Sequence, residues 1–291
     1  MYQIAESELI INKRGAIYHL NVRPEELGDT IILVGDPGRV KRVSKHFDRI
    51  DHQLEQREFI THTGFIGNTN ISVVSTGIGP DNIDIAINEI DALANIDFNT
   101  RKINPTLKKL KIIRFGTCGA LQADVPIDSM IASSHGLGLD NLMNYYDHKK
   151  TPLESEMISS FIHQTSMDTS ITLPYIFEGS TELISKFGAD FHKGITVTCP
   201  GFYGPQGRVL RLALKSKGLI NKLSSFNFND LRIVNFEMET SAIYGLGKLL
   251  GHDCLSINVA VANRVTQEYS DDSVAAVEKM IEKALAVIVS G

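Results

Sequence analysis

Residues Ile112 to Gln122 read IIRFGTCGALQ. An apolar run carries Arg114 near its end and passes into Gly116, Thr117, Cys118 and Gly119. Glycines let a chain turn sharply and leave backbone N–H groups free to face an anion, and the arginine adds a permanent cation. Strand, basic residue and small-residue loop together predict a phosphate site at the carboxyl edge of an α/β sheet. Read alone, the stretch fits equally a tight β-to-α turn with a surface arginine, so the neighbouring segments have to decide.

Upstream, Thr30–Val34 is an apolar strand that ends in Gly35-Asp36-Pro37-Gly38-Arg39 before a helical run from Val40 to Phe47. One strand–glycine–helix junction is ordinary. Two of them, each with an arginine aimed at the same sheet edge, exceed what packing requires. Asn70–Ser75 is a further strand closing in Thr76-Gly77-Ile78-Gly79-Pro80, after which Ile83, Ile87, Ile90 and Leu93 recur at helical spacing. Arg23-Pro24-Glu25 predicts a short helix, and Gln56–Ile66 reads as two strands of a hairpin or meander. Asp97–Leu110 reads as a loop with a short helical piece.

Downstream, Ile127–Ser134 and Ile195–Thr198 are predicted strands. Between them, from about residue 136 to 188, the periodicity is patchy, with a helix start near Thr151-Pro152-Leu153-Glu154. Cys199–Arg208 holds too much glycine and proline for regular structure, and such fixed loops are where ligand contacts gather. Val234-Asn235-Phe236 leads into a helix reaching about Leu250, Leu255–Ala262 is the last strand, and a helix from about Ser273 closes the chain. The alternation predicts one domain over residues 1–291, a three-layer α/β/α fold around a mixed or mostly parallel sheet.

A net charge of -5 argues against a nucleic-acid surface, and 43% hydrophobic residues can supply a full core. Cys118, Cys199 and Cys254 lack C-x-x-C spacing, and the nine histidines form no H-E-x-x-H pair, so neither a disulfide framework nor a metal centre is expected. The opening residues lack a secretory pattern, and the apolar runs are too short to span a bilayer, which places the protein in the cytoplasm.

Taken in order, GDPGR at Gly35–Arg39, REF at Arg57–Phe59, STGIG at Ser75–Gly79, RFGTCGALQ at Arg114–Gln122, FYGPQGR at Phe202–Arg208 and NFEMET at Asn235–Thr240 resemble the nucleoside phosphorylase family, and within it the uridine phosphorylases. Each motif is weak; the ordered set, covering nearly the whole chain, is specific. The resemblance implies a central mixed sheet partly curled into a distorted barrel.

It also implies roles. Phosphate would be held by Gly35, Arg39, Arg114 and Thr117, with Arg57 reaching in from a neighbouring subunit; arginine forks suit a dianion. Ribose would be gripped by Met238 and Glu239, with His19 donated by the partner to the 5′-hydroxyl. Acids at Glu237 and Glu239 also suit a helix N-terminus, with no ligand involved. Phe202 would stack on the base, Gln206 would pair with a carbonyl and N–H of uracil, and Arg208 would donate to the carbonyls. Purine-specific relatives carry an aspartate after the last strand, and Leu255–Gln267 contains none. The family tract usually has tyrosine where Phe236 stands.

The expected reaction is phosphorolysis of uridine to uracil and ribose 1-phosphate, with Arg114, Glu239 and Arg208 carrying catalysis. Phosphate is the co-substrate, no cofactor is expected, and the resemblance leaves room for a structural monovalent cation. The expected assembly is a homo-oligomer, at least a dimer with shared sites. A purine phosphorylase or nucleosidase of the same superfamily, and a non-catalytic nucleoside-binding protein, are the alternatives.

Overall fold

The computed structural model describes residues 2–290. In chain order the elements are β1 (Thr30–Val34), α1 (Pro37–Ser44), β2 (Arg49–Gln56), β3 (Phe59–Ile66), β4 (Thr69–Ser75), α2 (Pro80–Asn95), β5 (Ile96–Asp97), β6 (Lys102–Ile103) and β7 (Lys111–Ala120). There follow β8 (Met130–Gly138), α3 (Pro152–Thr165), β9 (Tyr175–Glu178), α4 (Thr181–Ser185), β10 (Phe191–Thr198), α5 (Leu219–Ser224), β11 (Asn227–Phe228), β12 (Leu231–Glu237), α6 (Thr240–Leu250), β13 (Asp253–Asn263), β14 (Glu268–Tyr269) and α7 (Ser273–Val289).

The principal sheet runs β11-β12-β10-β8-β13-β7-β1-β4-β3-β2, and an added β12–β7 pairing closes five of these strands into a ring. β7 is the hinge of this arrangement. Its first half, Lys111 to Phe115, pairs in parallel with β1, while Gly119 and Ala120 pair antiparallel with Phe236 and Asn235 of β12. β13 follows β7 along nearly its full length. The result is an open twisted sheet on one side of β7 and a five-stranded barrel on the other.

Burial on both faces explains the apolar strands, since a parallel strand covered by helices shows no alternation. All five residues of β1 are buried. Ile31, Leu33, Val74 and Ile112 pack on one side with α2 and α6, and Ile32, Val34, Val73, Ile113 and Phe115 pack on the other with α1 and α7. β2 lies at the sheet edge and carries Arg49, Asp51, His52 and Glu55, charges and polarity that discourage pairing with another chain. Helix starts follow local chemistry: Asp36 accepts from the Gly38 N–H with Pro37 behind it, and Thr151 and Glu154 form a reciprocal capping box.

Several expectations need correction. Gly116–Gly119 is not a turn but the second half of β7. The stretch 56–66 holds one strand, paired with a β2 that lies upstream, because the charges of β2 hide its edge-strand character. Between Ile96 and Leu110 the chain forms the short β5–β6 hairpin and no helix. β8 begins at Met130 rather than Ile127, after a turn at Pro126 and Asp128. The poorly periodic region after residue 136 holds α3, β9 and α4. No helix among the described residues is long and apolar enough to cross a membrane, and Cys118, Cys199 and Cys254 are buried and unpaired.

Candidate active site: the cleft where the central strand changes partners

Val34 and Phe115 are the last paired residues of β1 and β7. Beyond them β1 turns away into Gly35-Asp36-Pro37, and β7 continues into the barrel. Divergence of neighbouring strands at their carboxyl ends opens a crevice. Here the crevice is a cleft of about 1400 Å³ whose wall includes Gly35, Arg39, Arg114, Thr117, Met238 and Glu239 at one end and Phe202, Gln206 and Arg208 at the other.

At the first end two buried arginines converge. Arg39, in the first turn of α1, donates from Nη1 to the Phe115 carbonyl at 3.1 Å, while its buried Nε has no partner. Burial and the nearby Arg114 charge push the Arg39 guanidinium down to about 10. Arg114 donates from Nη1 to Asn258 Oδ1 at 2.6 Å and from Nη2 to Glu239 Oε2. Burial works against its charge, but Glu239 and Glu237 outweigh it and hold Arg114 above its ordinary value. The guanidinium lies across Gly116, where a methyl group would stand 1.5 Å from Nη1. That close approach, rather than a turn, is what requires glycine there.

The two glutamates after β12 divide the work. Glu237 caps α6: its carboxylate accepts from the Glu239 and Thr240 N–H groups at 3.0 Å and from the Thr198 hydroxyl at 2.8 Å. Burial, with the adjacent Glu239, raises its carboxyl to about 7 against the pull of Arg114. Glu239 instead accepts from the Gly79 N–H at 2.9 Å and from Arg114, so it faces the cleft. The helix-terminus account of these acids therefore holds for Glu237 and not for Glu239.

At the other end Arg208 lies 3.7 Å over the Phe202 ring and donates to the Phe202 carbonyl at 2.7 Å and to Gln206 Oε1 at 2.5 Å. Gln206 is buried, whereas Phe202 is half exposed at the cleft wall. Burial and a second cation, Arg264, push Arg208 down to about 10. Arg264 donates to the backbone carbonyl of Gln206 at 3.2 Å and lines the same wall. Both guanidiniums flank the buried Phe236 ring, at 5.7 and 5.6 Å, so the residue at the usual tyrosine position packs. Arg264 was not among the residues expected from sequence, although an arginine at the end of a strand is the signal that marked Arg114.

His19 and Arg57 are not in the wall of this chain's own cleft. Both lie beside Tyr18: the His19 ring is 4.8 Å from that of Tyr18, and the Arg57 guanidinium is 5.9 Å from the same ring. Glu89 fixes His19 by accepting from its backbone N–H at 3.0 Å and pairing with Nδ1 at 2.7 Å. Nε2 is thereby the nitrogen left for a ligand. Arg57 has a φ of 54°, as the first residue of a two-residue hairpin turn requires.

The family follows from comparison with known proteins. Residues 29–291 match the model of the phosphorylase superfamily, and the chain belongs to that family. It is 30% identical to the uridine phosphorylase of Thermococcus kodakarensis, an alignment covering 88% of this chain and 81% of the relative. A DeoD-type purine nucleoside phosphorylase of Buchnera aphidicola is 25% identical over 92% of this chain and 97% of its own length. Among solved structures, a Trypanosoma brucei nucleoside phosphorylase, described as showing uridine phosphorylase activity, superposes with a TM-score of 0.89 at 30% identity, covering 97% of this chain and all of that one.

Proposed function

We propose that this pentosyltransferase cleaves uridine with inorganic phosphate, giving uracil and ribose 1-phosphate. The observation that carries the reading is the pair of buried guanidiniums at the strand divergence, one with an unpartnered Nε, set in the same cleft as an amide flanked by two further arginines. Buried donors without partners are costly, and a dianion between Arg39 and Arg114 would offset that cost. Gly35 and Thr117 would complete the phosphate site.

Glu239 stands beside Arg114, where its carboxylate can accept from the ribose diol while Met238 covers the sugar face. As the glycosidic bond lengthens, the sugar becomes cation-like and the base gains negative charge. Catalysis on this reading is electrostatic positioning, with phosphate both stabilising and attacking the sugar. The departing uracil anion would be stabilised by Arg208 and Arg264, with Gln206 reading the pyrimidine edge and Phe202 on the ring. Val261–Gln267 offers no carboxylate to protonate a purine. No cofactor enters the scheme.

His19 and Arg57 would come from a partner subunit, a reading supported by their shared position beside Tyr18, outside the chain's own cleft. The protein would act as a homo-oligomer, at least a dimer. The deciding experiment is release of uracil from uridine with and without phosphate: strict phosphate dependence is the expected result, and equal release in its absence would assign a nucleosidase instead.

A further inference from the structure

The barrel interior carries a layer of polar side chains drawn from all five of its strands. Arg114 (β7) bonds Asn258 (β13), which reaches Ser133 (β8) at 3.5 Å; Ser133 meets Thr196 (β10) at 2.6 Å, and Thr196 donates to Asn235 (β12) at 2.8 Å. Polar groups packed against one another without water are kept only where they are mutually satisfied or where a function needs them. Asn258 is the member that touches Arg114.

We propose that Asn258 is a positioning residue for phosphate binding: its amide oxygen holds the Arg114 guanidinium over Gly116 without neutralising its charge. The role rests on the reading of Arg114 as a phosphate ligand. Asn258 is fully buried and is not part of the cleft wall, so it acts through Arg114 and not on a ligand. The orientation of its amide is settled by its neighbours. Nδ2 donates to the Ser256 hydroxyl at 3.1 Å, and Ser256 in turn accepts from Thr240 at 2.8 Å. Turning the amide over would set its N–H groups against those of Arg114.

The need for such a partner follows from the other contacts of Arg114. Its Nη2 is bonded to Glu239, for which the ribose hydroxyls would compete once substrate binds. Asn258 is a neutral partner, out of the cleft wall, that no ligand displaces. A carboxylate in its place would add a third acid to a guanidinium already facing Glu237 and Glu239, and would weaken its attraction for an anion. An apolar residue would leave Nη1 only its longer contact with Glu237, at 3.5 Å.

The test uses the full-length protein and inorganic phosphate. N258A is expected to raise the KM for phosphate by roughly tenfold or more through loss of a bond to a charged group, and the isosteric N258D by a similar factor through the negative charge it adds beside Arg114. The KM for uridine should stay within about twofold, and the upward shift of Tm caused by phosphate should shrink in both. A residue that merely supports the fold would lower Tm equally with and without phosphate and leave the KM values unchanged. Wild-type phosphate dependence together with an unaltered phosphate KM in either folded variant would overturn the role of Asn258 alone. Uracil release by the wild type without phosphate would overturn the phosphate site and this role together.

Discussion

Arg39 donates from Nη1 to the carbonyl of Phe115 and so ties the loop after β1 to the residue that follows Arg114 in β7. The two guanidiniums are thereby set at one end of the cleft by backbone geometry, before any ligand arrives.

Arg39 is the cleaner probe of the proposed phosphate site. Removing Arg114 leaves Glu237 and Glu239 buried without their cation, a defect expected to cost about 3–5 kcal/mol of stability. Among the described residues Arg39 forms no ion pair with an acid, so Arg39→Ala should stay folded while phosphate-dependent kcat/KM drops by about a hundredfold, the loss of one anion-stabilising donor. Steady-state kinetics with phosphate varied, beside a thermal melt, provide the check. A folded Arg39→Ala protein with wild-type phosphate kinetics would remove Arg39 from the site.

Glu237 should leave a pH signature in stability. Its folded-state carboxyl is raised from 4.5 to about 7, so folding favours its protonated form. That contribution is complete below about pH 4.5 and is lost as pH rises through about 7. The difference in unfolding free energy between wild type and Glu237→Gln should therefore fall across this window. Denaturant titrations at several pH values without phosphate would show it, and a flat difference would contradict the raised value.

Base preference is the next expectation. With Gln206 held by Arg208 and flanked by Arg264, uridine should be cleaved far faster than inosine or adenosine, since a buried polar edge left unpaired discriminates strongly. Arg208→Ala should lower uridine turnover at least about tenfold, equivalent to about 1.4 kcal/mol. A wild-type preference for inosine in a competition assay would overturn the pyrimidine assignment.

Sharing of sites between subunits has a genetic style of test. Arg57→Ala and Glu239→Ala chains are each expected to be inactive. Mixed under conditions that exchange subunits, they should regain part of the activity, because one pocket of a mixed dimer collects both defects and the other neither. Demonstrated exchange without recovery would place Arg57 in its own chain's site.

Much of this was legible in the sequence. The β-branched run Thr30–Val34 and the 83, 87, 90, 93 spacing are direct consequences of burial on two faces and on one. An arginine closing an apolar run marked Arg114, and one at the start of a helix after a strand–glycine junction marked Arg39. The glycines at 116 and 119 misled, because a missing side chain reads as a turn whether it frees the backbone or makes room for a neighbour; here Gly116 makes room for Arg114, while a methyl group at Gly119 would meet only ordinary contacts with Arg264 and Phe236. Asn258 was hidden inside an apolar strand, where a single amide carries no local signal. The barrel closure was equally hidden, since the pairing of Ala120 with Asn235 joins residues far apart in the chain.

The position of β13 has a consequence for how the chain is made. β13 sits between β7 and β8 in the sheet, yet it is nearly the last strand in sequence. A nascent chain emerging from the ribosome must hold a slot open at its centre, with the facing edges of β7 and β8 bare, until residues 253–263 have been synthesised. Non-local pairing of this kind is slow, and bare edges recruit other chains. Arg39 and Arg114 are thus translated early but gain their final surroundings only at the end of synthesis, so a chain cut short before Asp253 should aggregate rather than fold to a weakened enzyme.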